Sequence, residues 1–66
     1  MINFKKIKAL MGKKEIKDYE LAAKVGVSIS MMSYILNGLR TPNVQTLVRI
    51  ANELGCTVDE LLIKEV

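Results

Sequence analysis

The 66-residue chain has no histidine and no tryptophan, a single cysteine, a single proline and a single phenylalanine. Each scarcity excludes something. One cysteine cannot close an intramolecular disulfide, and one cysteine without histidine cannot supply the nitrogen and sulfur ligands of a structural zinc site. With no histidine, no paired carboxylates, no glycine-rich phosphate loop and no metal-ligand spacing, catalysis has little to use, so neither an enzyme nor a cofactor is expected, and no small-molecule ligand is evident. Cys56 reads as an ordinary small apolar residue, and a lone thiol fits a reducing compartment. Long apolar runs are missing too. The longest uncharged stretch, Val25 to Leu39, is shorter than the roughly 20 residues of a membrane span and contains serines, Asn37 and Gly38. The N-terminus lacks the order of charged region, apolar core and cleavage site that marks a signal peptide, so a cytoplasmic protein without a membrane partner is expected.

Half of the residues are apolar and the net charge is +3. A chain this short buries only about 60% of the surface it exposes when unfolded, so one domain over residues 1–66 is expected, with thin stability resting on helix packing and dimerisation. The charge is unevenly spread. Residues 1–49 carry nine basic groups against Glu15, Asp18 and Glu20, a net +6, whereas residues 50–66 carry Lys64 against Glu53, Asp59, Glu60 and Glu65, a net −3. Seven lysines, at positions 5, 6, 8, 13, 14, 17 and 24, supply most of the positive charge. They can form a polyanion-binding face or a simple solvated one, and charge alone does not choose.

The apolar periodicity is helical throughout and predicts a compact all-α fold of five short helices. Phe4, Ile7, Leu10 and Met11 share one side of a first helix from about Asn3 to Lys13, where Gly12 weakens the end. Ile16 turns inward from a short connection, and a second helix runs from about Asp18 to Val25. A third runs from about Ile29 to Leu36. After a loop from Leu39 to Asn43, Asn43 can cap a fourth helix with Leu47, Ile50, Ala51 and Leu54 as its buried stripe and Gly55 at its end. Thr57-Val58-Asp59-Glu60 has the form of a capping box and predicts a fifth helix anchored by Leu61 and Leu62.

The segment Glu20 to Gly38, ELAAKVGVSISMMSYILNG, carries the most information. Leu21, Ala22 and Val25 form one apolar stripe, and Met32 and Ile35 form a second, on either side of a Gly26-Val27-Ser28 turn. Ala22 is small where two helices approach closely, and Gly26 can take the positive φ of a tight helix end. Val27 can plug the corner, Ser28 can cap the next helix, and Gly38 can end it. This is the pattern of a helix-turn-helix over residues 18–37.

On these residues the chain resembles the phage-repressor and Cro helix-turn-helix family, also called the Xre family. The likeness continues through Arg40-Thr41-Pro42, which is similar to that family's loop after the recognition helix, and through residues 47–55 and 57–62, which are similar to its fourth and fifth helices. The resemblance implies a lambda-repressor-like fold and double-stranded DNA as partner. It implies that the third helix enters the major groove, where Ser28, Ile29, Ser30, Ser33 and Tyr34 face base edges. Residues flanking the motif then meet phosphates: Lys17, Asp18, Asn37, Arg40 and Thr41.

Three departures from the family pattern matter. No Arg, Lys, Gln or Asn lies on the reading face before Asn37, so the bidentate contacts that best separate guanine from adenine are missing, and modest specificity based on methyl contacts and DNA shape is expected. Asp18 stands where many relatives have Gln; its carboxylate repels a phosphate but suits a helix N-cap. Asn37 can likewise be a phosphate contact or a helix C-cap. Third, many relatives pair an Arg on the first helix with a Glu near the end of the third. This chain has Met11 and Leu36 there, a joint replacement that strands no charge.

These features together predict a sequence-preferring DNA-binding transcriptional regulator, a repressor acting as a homodimer with Leu62, Ile63 and Val66 as candidate contacts. The alternative on the same scaffold is a protein-interaction module, an antitoxin or anti-regulator component whose uncharged third helix meets a protein.

Overall fold

The structure, a computed structural model, describes residues 2–63. Four α-helices follow in order: α1 Phe4–Lys13, α2 Asp18–Val25, α3 Ile29–Leu36 and α4 Val44–Leu54. Each starts where a side chain can take up a free backbone N–H. Asn3 Oδ1 accepts from the amide of Lys6 at 3.1 Å, Ser28 Oγ from Met31 at 3.0 Å and Asn43 Oδ1 from Thr46 at 2.8 Å. For α2 the residue at the cap is Lys17, one earlier than the Asp18 expected from sequence. Asp18 is the first helical residue, and Glu20 reaches back to accept the Lys17 amide at 3.2 Å.

Gly26 ends α2 in the left-handed region at φ 85°, with its own amide and that of Val27 both donating to the Ala22 carbonyl. An L side chain at that φ is strained, and a Cβ there would also stand 3.4 Å from Arg49. Gly38 and Gly55 close α3 and α4 in the same conformation.

The stripes meet in one core. Ile7 and Met11 of α1, Leu21, Ala22 and Val25 of α2, Met32, Ile35 and Leu36 of α3, and Leu47, Ile50, Ala51 and Leu54 of α4 are buried together. Phe4, Leu10, Ile16 and Val27 pack against them partly covered, so Val27 does fill the corner between α2 and α3. Arg49 on α4 donates to the Val25 carbonyl at 3.2 Å and ties α4 to the C-terminal end of α2.

The fifth helix is not formed. Its capping box is present, with the Glu60 amide donating to Thr57 Oγ1 at 3.3 Å, but it opens a single 3-10 turn over Asp59–Leu61. Beyond it Leu62 is extended and forms an antiparallel bridge with Ile2, while the Asn3 amide donates to the Leu61 carbonyl at 2.7 Å. The backbone groups a longer helix needs are taken by the N-terminal segment. Leu61 is fully buried and Leu62 packs half-covered against the core.

Candidate nucleic-acid interface

The buried residues of α3 fix what its other side presents. With Met32, Ile35 and Leu36 turned inward, Ser28, Ile29, Ser30 and Tyr34 lie exposed and Ser33 half-covered. Ile29 is 63% exposed and Tyr34 48%. No charged residue occurs on α3.

The hydrogen-bonding capacity of this face is smaller than its three serines suggest. Ser28 Oγ already accepts the Met31 amide, and Ser33 supplies its carbonyl to Asn37 Nδ2 at 2.9 Å, with its Oγ at 3.5 Å from the same nitrogen. The hydroxyls of Ser30 and Tyr34 and the apolar end of Ile29 are the groups on this face without a partner among the described residues.

The five residues expected at phosphates lie at the start of α2, at the end of α3 and in the loop after it. Lys17 and Asp18 lie exposed at the start of α2, and Arg40 and Thr41 lie exposed in the loop after α3. That loop is pinned: the amides of Leu39 and Arg40 both donate to the Tyr34 carbonyl, at 2.9 and 3.3 Å. Asn37 is the C-cap of α3, and its side-chain amide donates to the Ser33 carbonyl, which bears out the capping role; the amide keeps a second N–H. Asp18 and Asn37 share the rim of a recess of about 230 Å³ between α1, the start of α2 and the end of α3. Met11, Ile16 and Leu36 form its apolar part, and Lys8 stands at its edge. Lys8 has no sequence signal that sets it apart from the other lysines.

Cys56 packs partly covered against the core on α1's other side. Desolvation by burial, joined by the Glu60 carboxylate, pushes its thiol up, while Lys6 and Lys14 pull it down less strongly. A thiol held protonated is a poor nucleophile.

The family model described as helix-turn-helix matches residues 7–61, most of the chain, in a register that contains α2, the turn and α3. The chain belongs to the helix-turn-helix family. Within it, the membership is of the phage-repressor and Cro type. Among solved structures, the DNA-binding domain of the P22 c2 repressor, residues 1–76 in solution, is 28% identical to this helix-turn-helix chain. The match covers 92% of this chain and 80% of that one at a TM-score of 0.84. No curated protein sequence matches it significantly. No helix among the described residues is long and apolar enough to cross a membrane.

Proposed function

We propose that this DNA-binding transcription regulator is a repressor that occludes a promoter, binding duplex DNA as a two-fold dimer with α3 in the major groove. Ser28, Ile29, Ser30, Ser33 and Tyr34 face the bases. Lys17, Asn37, Arg40 and Thr41 hold phosphates on either side, and the Asp18 carboxylate stands among them. The observation that carries this reading is the exposed, uncharged outer face of α3, with an exposed Lys17 at the start of α2 and an exposed Arg40 in the loop after α3. The likeness to a repressor's DNA-binding domain supports it.

The chemistry of the face sets the kind of recognition. Without a guanidinium or a free amide on the first turns of α3, base discrimination rests on single hydrogen bonds from Ser30 and Tyr34, on methyl contact by Ile29 and on DNA shape. Specificity is therefore modest.

Enrichment of sites from a random duplex pool, followed by a salt titration of the recovered duplex, tests the reading. Phosphate contacts release condensed counterions, so affinity falls with salt at a log–log slope of about −0.9 per contact. Binding that stays constant between low and physiological salt overturns it. That outcome would favour the second reading, a protein-interaction module, for which the exposure of Ile29 and Tyr34 on an uncharged helix is the specific support.

A further inference from the structure

The lysines look alike in sequence, but the packing sorts them. Lys6 and Lys14 lie toward the loop after α4: both act on the Cys56 thiol, and Lys14 Nζ stands 3.0 Å from where a Cβ on Gly55 would be. Lys24 faces Glu53 at 3.8 Å. Lys8 lies elsewhere. It borders the recess whose rim also holds Asp18 and Asn37, at the place where the start of α2 and the end of α3 converge.

Two features of that rim suit a phosphate and one opposes it. Asn37 is held by Ser33 and keeps one amide N–H to donate. Asp18 opposes it: the carboxylate is exposed and, among the described residues, forms no ion pair, so no paired cation offsets the repulsion, screened by water, that it exerts on an approaching anion. Met11, Ile16 and Leu36 line the recess with apolar surface, along which the four-carbon stem of a lysine can lie while its ammonium stays in water at the edge. A phosphodiester brought to Asn37 meets one negative side chain and one positive one.

We propose that Lys8 holds a DNA backbone phosphate at this rim beside Asn37 and offsets the repulsion of Asp18. The proposal rests on the reading of α3 as the groove-facing helix and adds a contact to it. The contact is to backbone and is blind to sequence. Lys8 thus supplies, from α1, the attraction that Asp18 cannot supply from α2.

The test compares four chains, wild type, Lys8→Met, Lys6→Met and Asp18→Asn, on one selected duplex and one random duplex across a salt series. All three positions are exposed, and melting curves verify that the variants fold. Lys8→Met is expected to flatten the log–log slope by about 0.9 and to weaken both duplexes by the same factor. Asp18→Asn tightens both duplexes, and Lys6→Met leaves the slope unchanged. A wild-type slope in Lys8→Met overturns the proposal, as does an equal flattening in Lys6→Met, which would mean that only total charge counts. In both of those cases the wild type still binds in a salt-dependent way and the DNA reading stands. A wild type without salt-dependent binding overturns that reading and the Lys8 contact with it.

Discussion

Glu15 holds a backbone conformation that its side chain disfavours. At φ 57° it is the one non-glycine residue in the left-handed region among the described residues, and it closes α1 as glycines close the other helices, with the Ile16 amide donating to the Met11 carbonyl at 2.9 Å. Three residues earlier, Gly12 sits inside α1, where a Cβ would meet nothing within 4 Å. The glycine and the side chain are in each other's places. Glu15→Gly removes about 1–2 kcal/mol of left-handed strain against about 0.5–1 kcal/mol of added freedom in the unfolded chain. Gly12→Ala gains about 0.5–1 kcal/mol by the same entropy in reverse. Both variants are expected to melt at higher temperature and higher denaturant than the parent, and a destabilised Glu15→Gly would show that the side chain there makes a contact worth more than the strain. In sequence Gly12 reads as the weak end of the first helix, because glycine is the usual stop signal; only the backbone reveals that Glu15 takes the stop. Tyr34 is a residue of another kind, half exposed on α3 with its ring free to reach outward. Tyr34→Ala is expected to cost about 1–3 kcal/mol on a selected site and much less on random duplex. Equal losses on both would place Tyr34 on the backbone or in the fold.

Among the elements, α2 and α3 begin and end where the sequence places them, at Asp18–Val25 and Ile29–Leu36. The reason is local: Gly26, Ser28 and the apolar stripes all act within a turn of the boundary they set. The outer face of α3 follows from the same periodicity, since burying Met32, Ile35 and Leu36 leaves only one arc for Ile29, Ser30 and Tyr34. The last segment obeys no such local rule. Its capping box is as good a signal as the others, but Ile2 and Asn3, some sixty residues away, take the backbone groups around Leu61 and Leu62, and a helix-period pattern cannot announce that competition. Arg49 was equally hidden. In sequence it is a polar position on α4, and in the fold it is the donor to the carbonyl of Val25, at the negative end of the α2 dipole. Arg49→Met keeps the apolar stem and removes the donor, so a loss of about 1 kcal/mol in denaturant unfolding is expected. If Arg49→Met unfolds like the parent, the bond adds nothing beyond what water supplies, and the register of α4 on α2 rests on the core alone.

At the scale of the molecule, an uncharged α3, if it is the groove-facing helix as proposed, limits how a small domain selects a site. One recognition helix spans a few base pairs, and single hydrogen bonds and a methyl contact discriminate weakly, so two copies on half-sites about 34 Å apart are needed for useful selection. The C-terminal residues expected to join them divide in the structure. Leu62 is drawn into the domain by its bridge to Ile2 and its packing against the core, whereas Ile63 remains 45% exposed; Val66 lies outside the described residues. Fold-back therefore completes part of the core and leaves less apolar surface for pairing than the sequence suggests. Association in free solution is accordingly expected to be weak, and the proposed pair is expected to form on DNA, where two adjacent half-sites raise the local concentration of each chain for the other. Sedimentation of the chain with a selected duplex is expected to saturate at two chains per site, the consensus to be palindromic, and the chain alone to sediment as a monomer at micromolar concentration. Saturation at one chain on a non-palindromic consensus would rule the dimer out and require Ser30, Tyr34 and DNA shape to deliver the selectivity from a single reading helix.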